Sequence, residues 1–335
     1  MLSPPRASWA FAVLGTAALV FASGLAAAVS DADGDGIPDD LEASTARNVL
    51  THSAPESFVV RSRSVGAPQD DAFEVSYARG EFTVGYSPKS FGPDSVSYTM
   101  AFSRIVEFYL DANAGWVVVQ QVDLESEYAE VRATDATTLD GEREVVFSVE
   151  TQSGLFTVTL GATERFARTT GGLISPMEVK VDLAIRNWAW VRSDTRLGLR
   201  VDFNTTDRAR AEATSEDEAR GWAADESQVN VTAGNDSLFF SWARTAMADG
   251  MSVPVESTPL EPRTGGYEMY LVYPHADAIA HDPKIGAVSE AFWSIWSEPR
   301  TPPIQADLTV YLVGLGVVAA LVAATVLLVR RRRNA

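Results

Sequence analysis

The chain has 335 residues, 46% hydrophobic and 21% charged, with 27 basic against 45 acidic side chains and no cysteine. That length supports one or two packed domains, while the missing thiols exclude disulfide scaffolds, thiolate zinc sites, iron–sulfur clusters and cysteine nucleophiles. The net charge of −18 repels phosphate backbones, so nucleic acid is excluded as a partner and cations are favoured.

Residues 1–30 read as a secretory signal: one positive charge at Arg6, an apolar stretch from Trp9, and the small residues Ala26, Ala27, Ala28 and Ser30 before an acidic run. An uncleaved anchor is the competing reading of this segment. Residues 31–56 follow as a calcium-loop segment. Asp31-Ala-Asp33-Gly-Asp35-Gly36-Ile37-Pro-Asp39-Asp40-Leu-Glu42 meets the twelve-residue calcium loop at every ligand position. Carboxylates stand at positions 1, 3 and 5, the Ile37 carbonyl at 7, Asp39 at 9 and Glu42 at 12, and Gly36 permits the sharp bend.

This stretch resembles the thrombospondin type 3 repeat, and the EF-hand-like calcium loops carried singly by prokaryotic, archaeal-type, single-pass cell-surface proteins. The resemblance covers these twelve residues and implies calcium-dependent stiffening. The loop has no tandem copies and, if cleavage falls at or just before Asp31, no helix precedes it, which points to the weak Ca2+ affinity of extracellular modules.

From about 57 to 275 the pattern is dominated by period two, which predicts an all-β, antiparallel β-sandwich ectodomain over 57–297, as one sandwich or two subdomains, with one or two short helices. Phe73, Val75, Tyr77 and Phe82, Val84, Tyr86 flank an Arg79-Gly80 turn. A strand from Tyr98 to Leu110 turns through Asp111–Gly115 into Trp116–Leu124, and Val145–Val149 turns through Gly154 into Phe156–Leu160. Val179–Ile185 alternate, and the parity change at Trp188 and Trp190 predicts a bend near Asn187.

Ser215–Glu218 has capping-box form and predicts a helix to about Asp225. Pro254 to Pro262 reads as a surface loop, because proline lacks the ladder donor. Ile285, Val288, Phe292 and Ile295 recur at helical spacing, with Trp293 and Trp296 beside them. That helix would pack on the sandwich or lie at a lipid interface.

Residues 298–306 form a Pro-rich stalk, and 307–329 an apolar transmembrane helix long enough for a hydrocarbon core. Arg330–Arg333 open a basic tail, 330–335, which stays cytoplasmic and leaves the N-terminal bulk outside the cell membrane. Gly316, Ala320 and Ala324 share a helix face that would suit a homodimer or an accessory contact in a membrane complex.

Further candidates are the sequons at Asn204, Asn230 and Asn235 and an alternative metal set of His275, Asp277 and His281, which share one parity. No catalytic residues and no organic cofactor are assigned, since nucleophile elbows and phosphate loops are missing from the sequence. The expected role is structural, adhesive or binding, toward an extracellular protein or glycan. A membrane-tethered, metal-dependent hydrolase is the alternative. The acidity and the scarcity of lysine resemble proteins of salt-adapted prokaryotes and equally fit a GC-rich genome.

Overall fold

The computed structural model describes residues 31–32, 37–64, 71–88, 95–113, 115–124, 127–169, 172–205, 208–213, 226–234 and 236–289. The signal segment, the helix expected from Ser215, the aromatic residues from 290 to 296, the stalk, the membrane span with Gly316, Ala320 and Ala324, and the arginine tail lie outside them. Among the described residues no helix is long and apolar enough to cross a membrane.

A short helix, α1 (Asp39–Thr45), precedes six strands of one antiparallel sheet. These are β1 (Arg47–Ala54), β2 (Ser57–Ser64), β3 (Ala72–Ala78), β4 (Glu81–Ser87), β5 (Val96–Asp111) and β6 (Gly115–Asp123). The chain then enters a second antiparallel sheet with β7 (Arg132–Thr137), β8 (Arg143–Glu150) and β9 (Phe156–Thr163). A small ribbon, β10 (Ala167–Thr169) with β11 (Gly172–Ile174), leads to β12 (Glu178–Arg186) of that same sheet.

The first sheet regains the chain at β13 (Arg196–Asn204), and the second at β14 (Arg208–Ala213), β15 (Glu226–Ala233), β16 (Asp236–Ala243), β17 (Thr245–Ala248) and β18 (Met251–Pro254). Next come β19 (Glu256–Ser257), β20 (Glu261–Arg263) and β21 (Gly266–Tyr273) in the first, then β22 (Ala278–His281) and β23 (Lys284–Val288) in the second. Strand order is β1-β2-β3-β4-β5-β13-β21-β19 in one layer and β14-β15-β16-β23-β12-β22-β17-β18 in the other, with β6 added to β5 and β9-β8-β7 added to β12.

Alternation builds the layers: in β3 and β4 the residues Phe73, Val75, Tyr77, Phe82, Val84 and Tyr86 are buried while their neighbours are not. The inner faces meet through aromatic rings. Phe58 of β2 stacks on Phe147 of β8 with centroids 4.6 Å apart, and Phe102 of β5 meets Phe156 and Phe240 edge-on. These residues belong to one apolar cluster that spans both sheets, so the described part has one principal core.

Three expectations change. The ladder begins at Arg47 and not at 57, because β1 pairs with β2 along its whole length. The proline-rich stretch contributes β19 and β20, which prolines tolerate at a sheet margin. Ile285 lies in a strand, not a helix: β23 sits between β16 and β12 with Ile285 and Ala287 buried. Gly286 fits there because the Phe239 ring and the Glu178 stem occupy the space a Cβ would need.

A buried ion pair ties the start of the first sheet together. Arg47 donates to both Asp71 carboxylate oxygens at 3.0 and 3.2 Å, to Ser62 Oγ at 2.9 Å and to the Ser62 carbonyl at 3.1 Å. Tyr86 donates its hydroxyl to Asp71 at 3.1 Å. Burial pulls the Arg47 pKa down against the attraction of Asp71. Such a saturated pair offsets much of its desolvation cost and rejects alternative pairings of these strands.

Candidate functional site

The acidic N-terminal segment is joined to the sandwich. Pro38 precedes α1 in an extended conformation, and its carbonyl accepts from Leu41 and Glu42 at 2.8 and 3.0 Å, starting the helix. Ile37 and Leu41 are 4% and 1% exposed and belong to the main core. The Ala32 amide donates to Asp39 Oδ1 at 2.9 Å, closing the segment on itself. Asp39 and Glu42 are three apart on α1 and so share a face at its N-terminal end. Asp31 is exposed, while Asp33 and Asp35 lie outside the described residues. The donor set is all hard oxygen, which is the chemistry Ca2+ takes.

The second metal set is not brought together. His281 of β22 is 1% exposed and both its ring nitrogens are engaged. Nε2 lies 2.8 Å from the Ala243 carbonyl, which can only accept, so Nε2 carries the hydrogen and Nδ1 accepts from the Tyr273 hydroxyl at 2.9 Å. Burial pushes the imidazole down to about 4 against the opposing effect of the Ala243 bond, keeping it neutral. The His275 ring stacks on Trp190 at 3.7 Å. The Asp277 and Ala278 amides donate to the Asp249 carboxylate, fixing the turn before β22. Among the described residues no three His, Asp or Glu side chains are grouped as one metal ion requires. Shared parity in the sequence is not convergence, because Asp277 precedes β22 and His281 points inward.

Of the sequons, Asn204 is exposed at the end of β13, where its amide donates to Thr99 Oγ1 at 3.4 Å and accepts from Arg263 at 3.3 Å. Asn230 is buried within β15, so a glycan at its side chain is incompatible with this packing. Asn235 lies outside the described residues.

A heavily hydrogen-bonded carboxylate that the sequence did not signal is Glu107. Glu107 occupies the irregularity where β5 shifts register against β6, and it is wholly buried. It accepts from Thr195 Oγ1 at 2.7 Å, Gln120 Nε2 at 2.8 Å, the Arg192 and Val191 amides at 3.0 Å and Trp188 Nε1 at 3.2 Å. Burial alone would raise this carboxyl, but the bonds from Thr195, Val191, Trp188 and Arg192 outweigh it and hold the group below the usual glutamate range. The segment between β12 and β13 is thereby fixed to β5. It starts at Asn187, whose φ of +57° makes the bend expected there.

Beside this segment is a cleft of about 250 Å³ lined by Gln120, Val122, Ser153, Leu155, Arg186 and Trp188. A second, of about 410 Å³, lies among Glu56, Tyr77, Arg79, Tyr128 and Gln152. Neither includes a histidine. Both are open surface recesses.

Fold and side-chain placement together define an antiparallel, two-layer β protein whose N-terminal segment is anchored in the core through Ile37 and Leu41. The chain matches no protein-family model, and no curated protein is significantly similar to it.

Proposed function

We propose that this chain is a single-pass cell-surface protein, held by residues 307–329, whose β-sandwich serves a structural or binding role outside the membrane and whose Asp31–Glu42 segment binds Ca2+. The observation that carries the reading is the burial of Ile37 and Leu41, on either side of Asp39, in the main core. A solvated acidic tail has no reason to be anchored there, whereas a metal loop so anchored transmits its rigidity to the sandwich. The ligands would be Asp31, Asp33, Asp35, the Ile37 carbonyl, Asp39 and Glu42, in the hard-oxygen set that Ca2+ prefers.

Because calcium would bind the folded chain and not the unfolded one, its binding stabilises by mass action. The full chain in detergent should melt several degrees higher in millimolar calcium than in chelator, and Asp31→Ala with Asp35→Ala should remove that increment. Superimposable melting curves would end the calcium assignment. Protease added to intact cells expressing the chain should digest the sandwich and spare the arginine tail. The reverse pattern would end the topology.

A further inference from the structure

The outer side of the first sheet carries a small apolar cluster separate from the main core. Val106 and Phe108 of β5 and Val272 of β21 are buried there, and Tyr270 packs against them. Trp116 of β6 lies flat on Phe108, with ring centroids 3.7 Å apart and planes 5° from parallel, and Tyr270 stands 5.5 Å from Trp116 at 59°. Gly198 of β13 forms the bed: a Cβ there would come within 3.1 Å of both Tyr270 and Val106 and within 3.5 Å of Phe108.

Outward positions of a two-layer sandwich normally face water and read as polar. Here one face of Trp116 is supported by Phe108, and the residue remains 38% exposed beside Val118 at 51%.

The surroundings restrict what can sit on this ring. Arg196, opposite Phe108, pairs with Glu256, opposite Val272, at 2.8 Å; Arg200, opposite Tyr270, pairs with Asp202 at 3.0 Å and with Glu268 at 2.5 Å, and Arg263 pairs with Asp202 at 3.3 Å. Each arginine of this rim is matched by a carboxylate, so the rim is rich in donors and acceptors without a field of one sign. A charged peptide or an anionic lipid surface finds no complement in it. The exposed large apolar side chains here are Trp116, Val118 and Leu110, which faces Trp116 across the β5–β6 pair, a small set beside the roughly 800 Å² per partner that a stable protein interface buries.

An uncharged ligand with one apolar face and a border of hydroxyls fits both features. We infer that Trp116, propped on Phe108 and bordered by these paired charges, is a stacking platform for a neutral pyranose ring of an extracellular glycan. The inference rests on the sandwich lying outside the cell, and it deepens the binding role proposed above by naming the partner's chemistry.

The test is isothermal titration of the full chain, in a zwitterionic detergent without a sugar headgroup, against maltohexaose, cellohexaose, mannohexaose and xylohexaose. Saturable binding to at least one is expected. Trp116→Ala should weaken it more than about tenfold while still showing a cooperative melting transition, and Trp116→Phe, which keeps a ring over Phe108, should retain most of it. No binding to any of the four, or equal binding by Trp116→Ala, overturns the inference. So does a wild-type dimer in sedimentation that Trp116→Ala converts to monomer, since a second copy would then cover the platform. Calcium-dependent melting and protease accessibility in the same variant report on the surface reading separately.

Discussion

The Trp188 indole donates to the Glu107 carboxylate at 3.2 Å, joining residues 81 apart in sequence. Through this bond and its neighbours a single acid holds the end of β12, the start of β13 and the middle of β5 in one arrangement. Glu107→Gln replaces one acceptor oxygen by a donor that faces other donors. It should cost about 3 kcal/mol in urea unfolding, as expected for buried bonds to a charged group. A change within experimental error would show that the β12–β13 segment is held by packing alone.

Arg47 and Asp71 offer a test of interdependence. Removing the cation in Arg47→Met leaves a buried carboxylate with only Tyr86 among its side-chain donors described above, and should destabilise by about 3–5 kcal/mol. Arg47→Met combined with Asp71→Leu should recover much of that loss. A double-mutant cycle in which the two changes simply add would remove the case for a coupled pair.

Leu41→Ala should lower stability by about 2–5 kcal/mol in calcium and in chelator alike, since it empties a core position. Asp39→Ala should instead reduce the calcium-dependent increment. Thermal melts of both variants under the two conditions separate the anchor from the ligand, and a Leu41→Ala loss confined to calcium would contradict the role of Leu41 as a core residue.

Acid affects two neighbouring residues in opposite senses. His281 is held down to about 4 when folded, against 6.5 in an open chain, so the unfolded state takes up the extra proton and stability falls as pH drops from 6.5 toward 4. Asp282 is pushed up to about 6, from 3.8, by burial and then by the like charge and shared hydrogen bond of Asp182, with Lys180 opposing. Here the folded state takes up the proton, so stability rises as pH drops from 6 toward 4. In urea titrations at pH 4.5, 5.5 and 6.5, Asp282→Asn should steepen the acid loss and His281→Gln should flatten it. Parallel pH profiles for wild type and both variants would refute this assignment.

The hairpins were legible in the sequence because their information is local. Arg79 and Gly80 both adopt positive φ, 51° and 89°, and Gly154 does so at 69°, where turn chemistry asks for it. Asn187 was legible for the same reason, its bend appearing as a change of parity.

The contacts that organise the ends of the sheets were not legible, since they join residues with no local relation. Glu107 reaches Thr195 across 88 positions and Arg47 reaches Asp71 across 24. A lone glutamate in an apolar run is the only trace of the first. At Ile285 the helical spacing misled because a short strand buried on both faces carries apolar residues without alternation. In the Asp31–Glu42 segment the acidic residues stand out in the sequence, whereas Ile37 and Leu41 as core residues became evident only with the fold.

Placing Lys284–Val288 between β16 and β12 has a kinetic result. Strands made early in synthesis must wait for one of the latest described strands to arrive before the second layer can close. Completion of that layer should therefore be slow even though the hairpins of the first sheet pair locally, as expected where distant pairings must form. Any product ending short of residue 284 would present two unsatisfied strand margins to its neighbours, a state prone to aggregation or degradation.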